Sequence, residues 1–415
     1  MTAQLTLPTS TLPGYALPPV PPQGTRVILL RHGRSTLNDA GCYQGSSDTS
    51  DLTAKGRLAS RQVGQFLRHC PIDRLYASPL GRAQQTVQEL LPQLEAIAPL
   101  PITTTEVLRE IDLPAWEGLR YDEVKTRFPE AYRCWQTAPE QFAMGWGDGG
   151  MGRWGDGENS SQKDSESLIY PIRDVYRRAR KFWLTALPQH RGQTLLVVSH
   201  GGTIQALVNT ALGLPMMQHH DMQQTHSGLT VIDFAAPILG AGYLHLLNLT
   251  TPIGEPLPKL KAGKQGLRLV LLPCQTGASP DASLAMLLKD HPIAACVVED
   301  HPCYHPSQRW SKTDFERPSL LSHHPETVAL SVGRTDFLHQ WQRLLLKSLK
   351  QVPPAELTTI AAVCHQAHAE SFLRGVMGCP LPLLPNTLTV LHYPGVGVRP
   401  ILQTLNSRPI PTSSD

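Results

Sequence analysis

Along the first half of the chain, short unbroken apolar runs alternate with longer stretches whose apolar residues recur at helical spacing. TRVILL (25–30) and TLLVVS (194–199) carry continuous apolar runs, the pattern of strands buried on both faces. DRLYAS (73–78) reads as another strand. Thr53 is a suitable N-cap for a helix from Ala54 to about His69, with Leu58, Val63, Phe66 and Leu67 on one side. Further helices are predicted over Gly81 to about Ala96, over about 170–187 and over Gly202–Leu212. Strand and helix in alternation predict an α/β fold of three layers, α/β/α, with a mainly parallel sheet.

Proline and glycine punctuate this pattern. Residues 1–24 carry repeated Pro, which removes backbone donors, and read as an unstructured or wall-hugging leader. MGWGDGGMGRWGDGE (144–158) is too rich in Gly for a helix or strand. It is either a plain surface insertion or a lid carrying Trp146 and Trp154 towards a substrate. A Pro-rich linker, TPIGEPLPKLKAGKQG (251–266), separates a domain over 25–250 from one over 267–408.

The second domain repeats parts of the first. Arg26-Val-Ile-Leu-Leu corresponds to Arg268-Leu-Val-Leu-Leu, and LLVVSHGG (195–202) to IAAVCHQA (360–367). The helix ending near Phe182-Trp183 matches a segment containing Phe337 and Trp341. Matching strand ends stand at 32 and 200 in the first half but at 274 and 365 in the second, so the second copy is shorter. The reading is a duplication with a shorter, degenerate second copy.

A length of 415 residues suits two or three domains at roughly 100–200 residues each. With 41% hydrophobic residues, the chain is not disordered as its main state. Its 17% charged residues and 37 Pro fit long proline-rich connections. A net charge of +3 and the lack of any basic run predict no nucleic-acid partner and no membrane partner, leaving room for a local arginine pocket. No stretch approaches the ~20 apolar residues of a membrane span. The first residues lack the features of a secretory signal, and the 8 Cys are scattered without a CxxC. A cytoplasmic protein with reduced thiols is expected.

The candidate chemistry sits where strands end. Leu30-Arg31-His32-Gly33-Arg34-Ser35-Thr36 follows the first strand, with Asn38 close behind. Ser78-Pro-Leu-Gly-Arg82-Ala-Gln-Gln-Thr86 places an arginine at a helix start. Leu108-Arg109-Glu110, with Trp116-Glu117-Gly118 beyond it, puts a carboxylate in a loop. Ser199-His200-Gly201-Gly202 adds a second histidine at another strand end. In open α/β sheets such ends share the ligand-binding edge. Arg31 and Arg82 offer planar forks matched to phosphate oxygens, with Asn38, His200 and a helix N-terminus adding donors.

In that order, RHGRST, SPLGRAQQT, LRE…WEG and SHGG resemble the histidine phosphatase superfamily, in the branch related to cofactor-dependent phosphoglycerate mutase. The resemblance covers about residues 25–250 and implies the phosphoglycerate mutase-like fold. It makes His32 the nucleophile of a phosphohistidine intermediate, with Arg31, Arg82 and His200 around the phosphate. Glu110 becomes the general acid, with Asp112 and Glu117 as alternatives. Ser35, Asn38 and Gly201 are implied phosphate contacts, while Gln44 and Gly45 either line the pocket or form a turn. No metal and no cofactor are implied, because the arginines carry the charge.

Where Arg31-His32-Gly33 stands in the first half, the second has Pro273-Cys274-Gln275, and His365 keeps the place of His200. A cysteine phosphatase would need an arginine six residues after Cys274, where Pro280 stands. A non-catalytic copy, serving packing, dimerisation or substrate access, is the reading. His301-Pro-Cys303-Tyr-His305 has a zinc-like spacing without an evident fourth ligand.

Arginines 120, 127, 133 and 153 stand apart, without the paired arginines that clamp a mutase substrate, so hydrolysis is favoured over transfer. A catalytic copy followed by a degenerate one resembles the phosphatases of 2-carboxyarabinitol 1-phosphate in photosynthetic organisms. That resemblance implies a small sugar-phosphate substrate of the Rubisco-inhibitor type, xylulose 1,5-bisphosphate included, and a stromal location in a plastid-bearing source. Phosphoserine phosphatase and phosphoglycerate mutase are the alternatives, and a regulatory phosphate-binding module is the alternative of another class. A homodimer is compatible with the chain.

Overall fold

Fourteen strand segments carry the architecture of the computed structural model, which describes residues 11–95, 99–145, 168–275, 281–300, 328–333 and 356–410. The lid question for Trp146 and Trp154, the His301/Cys303/His305 spacing, Pro280 and the segment with Phe337 and Trp341 all lie outside the described residues. Contacts divide the chain into two units. One comprises Pro18–His220 and Ile232–Gly242, the other Thr11–Leu17, Asp221–Val231 and Tyr243–Asp415.

In the first unit, β3 (Thr25–Arg31), β4 (Arg74–Ala77), β5 (Ile102–Thr104) and β6 (Gln193–Ser199) lie in the order β3-β6-β4-β5, all parallel. Val27–Leu30 and Leu195–Val198 are buried, as continuous apolar runs require when helices cover both faces of a sheet. The register pairs Arg31 with Ser199 and Ala77 with Val198, so three strands end at one level. β7 (Leu229–Phe234) lies beside β3. Across that side, Arg26 grips Asp233 with two parallel bonds, Nε to Oδ1 at 2.8 Å and Nη2 to Oδ2 at 2.7 Å.

The helices follow the predicted starts. Thr53 caps Ala54–Phe66 by accepting from the Gly56 amide at 3.0 Å. The helix predicted to reach Ala96 spans Gly81–Leu90, because Pro92 enters the following 3₁₀ turn and cannot continue the bonding. The Pro171–Gln189 helix buries Trp183, whose indole donates to the Leu207 carbonyl at 3.1 Å on the Gly201–Leu212 helix.

The second unit contains β9 (Gly266–Cys274), β10 (Ala295–Asp300), β11 (Val328–Gly333) and β12 (Leu357–His365), parallel in the order β9-β12-β10-β11. On the other side of β9, β13 (Leu388–Tyr393), β14 (Ile401–Ser407) and β8 (Gly242–Leu249) join antiparallel. The sheet is therefore mixed, which corrects the expectation of a mainly parallel one. The short Pro394–Pro400 connection returns the chain directly, and an antiparallel neighbour needs no crossover helix. Asn248 and Asn406, both at positive φ (52° and 59°), make reciprocal bonds. Each side-chain amide donates across the β8–β14 pair, to the Gln403 carbonyl at 2.6 Å and the His245 carbonyl at 2.8 Å.

The described end of the leader is ordered. β1 (Thr11–Leu12) and β2 (Tyr15–Ala16) form a hairpin with Leu12, Tyr15 and Leu17 buried, and the Arg408 amide donates to the Tyr15 hydroxyl at 3.1 Å. Among the described residues, no helix is long and apolar enough to cross a membrane.

Candidate active site

Parallel strands of equal reach put three sequence signals on one edge. The His32 amide donates to the Ser199 carbonyl at 2.8 Å, and the Ser78 amide to the Val198 carbonyl at 3.0 Å. His32 and His200 are both buried, with ring centroids 5.0 Å apart. Nδ1 of His32 lies 2.7 Å from the Gly33 carbonyl. A carbonyl only accepts, so Nδ1 carries the proton and the neutral ring keeps its lone pair on Nε2. Burial, then the positive charges of Arg82 and Arg31, hold the His32 pKa well below its ordinary 6.5. The nitrogen is thus unprotonated at neutral pH, the form in which an imidazole is able to attack.

His200 is held at Nε2 by the Ser78 hydroxyl at 2.7 Å, and its Nδ1 is enclosed without a protein partner among the described residues. Burial and then Arg82 depress its pKa too.

Arg82 is buried at the start of its helix. Nη1 and Nη2 donate to the Ser47 and Gly45 carbonyls at 2.7 and 2.9 Å. Its Nε is enclosed and meets no protein acceptor among the described residues. A buried donor left in that state marks where an acceptor from a ligand belongs. Burial pushes the guanidinium pKa down to about 10, against the opposing pull of Glu110 and Asp48, so it stays charged. Arg31 sits across Gly201, where a Cβ would come within 3.2 Å of its guanidinium carbon.

Glu110 is stitched to the start of the Gly201–Leu212 helix. Its carboxylate accepts from the Gly202 amide at 3.2 Å and from the Thr203 amide at 3.1 Å. Its charge is the largest one favouring the charged forms of both Arg31 and Arg82, which brings it into the same cluster. Of the two alternatives, Glu117 also favours the charged form of Arg82, though less than Glu110 does. Asp112 pairs with Arg109 at 3.7 Å, and Glu117 accepts from the Ser47 amide at 3.1 Å.

Ser35, Asn38 and Gln44 form their own network beside the histidines. Ser35 and Asn38 make a capping box for the short Thr36–Asp39 helix. The Ser35 hydroxyl lies 3.0 Å from Oε1 of Gln44, which also accepts from Ser50 at 2.6 Å. Asn38 thereby commits its oxygen and leaves Nδ2 without a protein acceptor among the described residues. Gly45 is a turn at φ 51°, and a Cβ there would meet Glu117 Oε1 at 2.4 Å. Its carbonyl, not its missing side chain, serves the site by holding Arg82.

Sequence reasoning missed the residues that hold these groups in place. Ser78 orients His200, and Thr86 accepts from the Gly33 amide at 2.9 Å; both lay unremarked inside the quoted SPLGRAQQT. Ser199 donates to the Leu108 carbonyl at 2.8 Å, and Thr203 to the Arg109 carbonyl at 2.5 Å. Arg178 donates to the Arg109 carbonyl at 2.7 Å and the Glu110 carbonyl at 3.1 Å, and Asp174 braces it at 2.7 Å. Asp174, four residues before it on the same helix face, was the one signal available.

Comparison with known proteins agrees with this geometry. The sequence pattern of the histidine phosphatase superfamily (branch 1) matches residues 27–237. A protein of Arabidopsis thaliana named probable 2-carboxy-D-arabinitol-1-phosphatase is 33% identical over 252 residues, 60% of this chain and 46% of that protein. The 2-carboxy-D-arabinitol-1-phosphatase of Triticum aestivum is 31% identical over 281 residues, 64% of this chain and 50% of its own length. The chain thus spans about half the length of these curated relatives. Phosphoserine phosphatase 1 of Hydrogenobacter thermophilus is 26% identical over 55% of this chain and 95% of its own.

Proposed function

The chain belongs to the histidine phosphatase superfamily, branch 1, and on that premise we propose that it is a metal-independent phosphomonoesterase acting on a small sugar phosphate. The observation that carries this is the neutral, buried His32, its Nδ1 committed to Gly33, with the charges of buried Arg82 and half-buried Arg31 close enough to depress its pKa. In the first step Nε2 attacks phosphorus, the N–P bond forms and the P–O ester bond breaks. Glu110 gives a proton to the departing alkoxide. In the second step Glu110 takes a proton from water, whose oxygen displaces the histidine and releases inorganic phosphate. Arg31, Arg82, His200 Nδ1 and Asn38 Nδ2 meet the three equatorial oxygens, where the transition state spreads its charge. Ser35, Gln44, Gly45 and Gly201 shape that pocket through the network and close approaches described above.

The substrate class rests on the two relatives named as 2-carboxy-D-arabinitol-1-phosphatases. We take 2-carboxyarabinitol 1-phosphate or xylulose 1,5-bisphosphate as the type, and a plastid-bearing source would place the protein in the stroma. Phosphoserine is the second reading, because a phosphoserine phosphatase aligns over 95% of its length.

Residues 267–408 form the degenerate copy of 25–250 in this proposal. Two observations support it. Strand order β13-β9-β12-β10-β11 in one unit repeats β7-β3-β6-β4-β5, and LTVLHY (388–393) repeats LTVIDF (229–234).

The test is phosphate release, with chelator present, from 2-carboxyarabinitol 1-phosphate, xylulose 1,5-bisphosphate, phosphoserine, 3-phosphoglycerate and fructose 2,6-bisphosphate. A lead of tenfold for the pentitol or pentulose phosphates, about 1.4 kcal/mol of transition-state discrimination, upholds the substrate reading. A lead for phosphoserine replaces it. Activity that survives in His32→Ala overturns the mechanism, and no turnover of any substrate leaves a phosphate-binding module.

A further inference from the structure

Arg26 and Arg268 open corresponding strands, yet their partners differ. Arg26 presents its Nε/Nη2 edge to the Asp233 carboxylate at 2.8 and 2.7 Å. At the matching place in LTVLHY the second unit has His392, the direct cross-strand neighbour of Arg268 in the antiparallel β9–β13 pair. Cross-strand neighbours share a sheet face, so the carboxylate of the first unit is replaced by a ring that brings no negative charge.

Arg268 is nonetheless buried, with 5% of its surface exposed. Nη1 lies 3.3 Å from His291 Nδ1, and Nε is enclosed without a hydrogen-bond partner among the described residues. Among the described residues, no carboxylate pairs with it. Burial pushes its guanidinium pKa down to about 10, and among the described residues no carboxylate opposes the shift as Glu110 and Asp48 do for Arg82. Among the described residues no carboxylate bonds His392 either; its Nε2 donates to the Gln265 carbonyl at 2.7 Å. Exposed Gln265 and half-buried His291 mark the side of the cluster that meets solvent.

We propose that Arg268, flanked by His291 and His392, is a binding site for a small oxyanion in the second unit, taken on the Nε/Nη2 edge that Arg26 uses for Asp233. The matching chemistry is two oxygens sharing one negative charge, as in a carboxylate or a phosphate. This site is separate from the candidate active site and does not depend on the reaction assigned there.

The full chain, labelled with 15N, is titrated with inorganic phosphate and separately with acetate while the arginine Nε–Hε signals are followed. Arg268→Lys identifies the Arg268 signal; should that variant fail to fold, the signal displaced in His392→Asp identifies it. The expected result is a saturable shift of that signal with phosphate, acetate or both, retained in Arg82→Ala. His392→Asp supplies an internal carboxylate, so it should abolish the saturable shift and raise the unfolding temperature. Absence of a saturable shift with either anion overturns the proposal, and so does a shift that His392→Asp leaves intact.

Discussion

The two units share a strand order and differ at the strand ends. In the first, Arg31-His32 and Ser199-His200 finish neighbouring parallel strands; in the second, Pro273-Cys274 and Cys364-His365 finish β9 and β12. The interiors are alike: Val27–Leu30 and Leu269–Leu272 are all buried. Packing therefore constrains the middle of each strand, and the two units differ at the one or two residues where the strand leaves the sheet.

The sharpest way to break this comparison is to alter corresponding strand ends. His32→Ala should lower phosphate release by about 10⁴-fold or more, as expected for loss of a nucleophile. Cys274→Ala, at the matching place, should leave the rate unchanged. Steady-state assays of both decide it, and equal losses would mean that the second unit takes part in the chemistry.

Next in size is the buried pair at the strand starts. Asp233→Ala leaves Arg26 buried without its counter-charge and should cost about 3–5 kcal/mol of stability. His392→Ala, in the second unit, removes one hydrogen bond and some packing, about 1–2 kcal/mol. Denaturant unfolding of the two variants reads the difference directly.

Arg178 has no described counterpart in the second unit. As a positioning residue it clamps the loop that carries Glu110. Arg178→Met should reduce kcat by about 10- to 100-fold with KM little changed, the scale of a misplacement near 1 Å. A partial return of kcat in Arg178→Lys, with an altered basic or acidic limb of the pH profile, would separate positioning from a general loss of stability.

The smallest effect is on pH. His32 and His200 are both held well below 6.5, so the unfolded chain binds protons that the folded chain refuses. Their sign is clear: stability is complete above about pH 6.5 and is lost as pH falls towards the depressed folded values. Unfolding measured from about pH 7.5 to 5 should slope downward on the acid side. Replacing His200 with Asn should reduce that slope, and the kcat/KM limb set by His32 protonation should lie below 6.5.

Much of the first unit was legible in sequence because burial writes itself into continuous apolar runs. TRVILL and TLLVVS became β3 and β6, and the Thr53 cap stands where it was expected. The strands LTVIDF and LTVLHY, the second of them antiparallel to its neighbours, went unread, although every residue of the first and most of the second are buried. Direction is a property of connections and partners, which no local pattern carries. Asn38 and Ser35 were read as phosphate contacts, yet much of their hydrogen bonding is spent on the helix cap between them. Local spacing could have suggested that cap, since the two are three residues apart.

The sequence by itself determined that TRVILL and TLLVVS are buried strands and which residue types stand at their ends. Only the tertiary structure decided the tautomer of His32, the donor left open on Arg82, the clamp of Arg178 on the Glu110 loop and the contrast between Arg26 and Arg268. The physical reason is range. Periodicity and capping act within a few residues, while a carbonyl that fixes a proton or a missing carboxylate that leaves a buried charge alone is set by groups far apart in the chain.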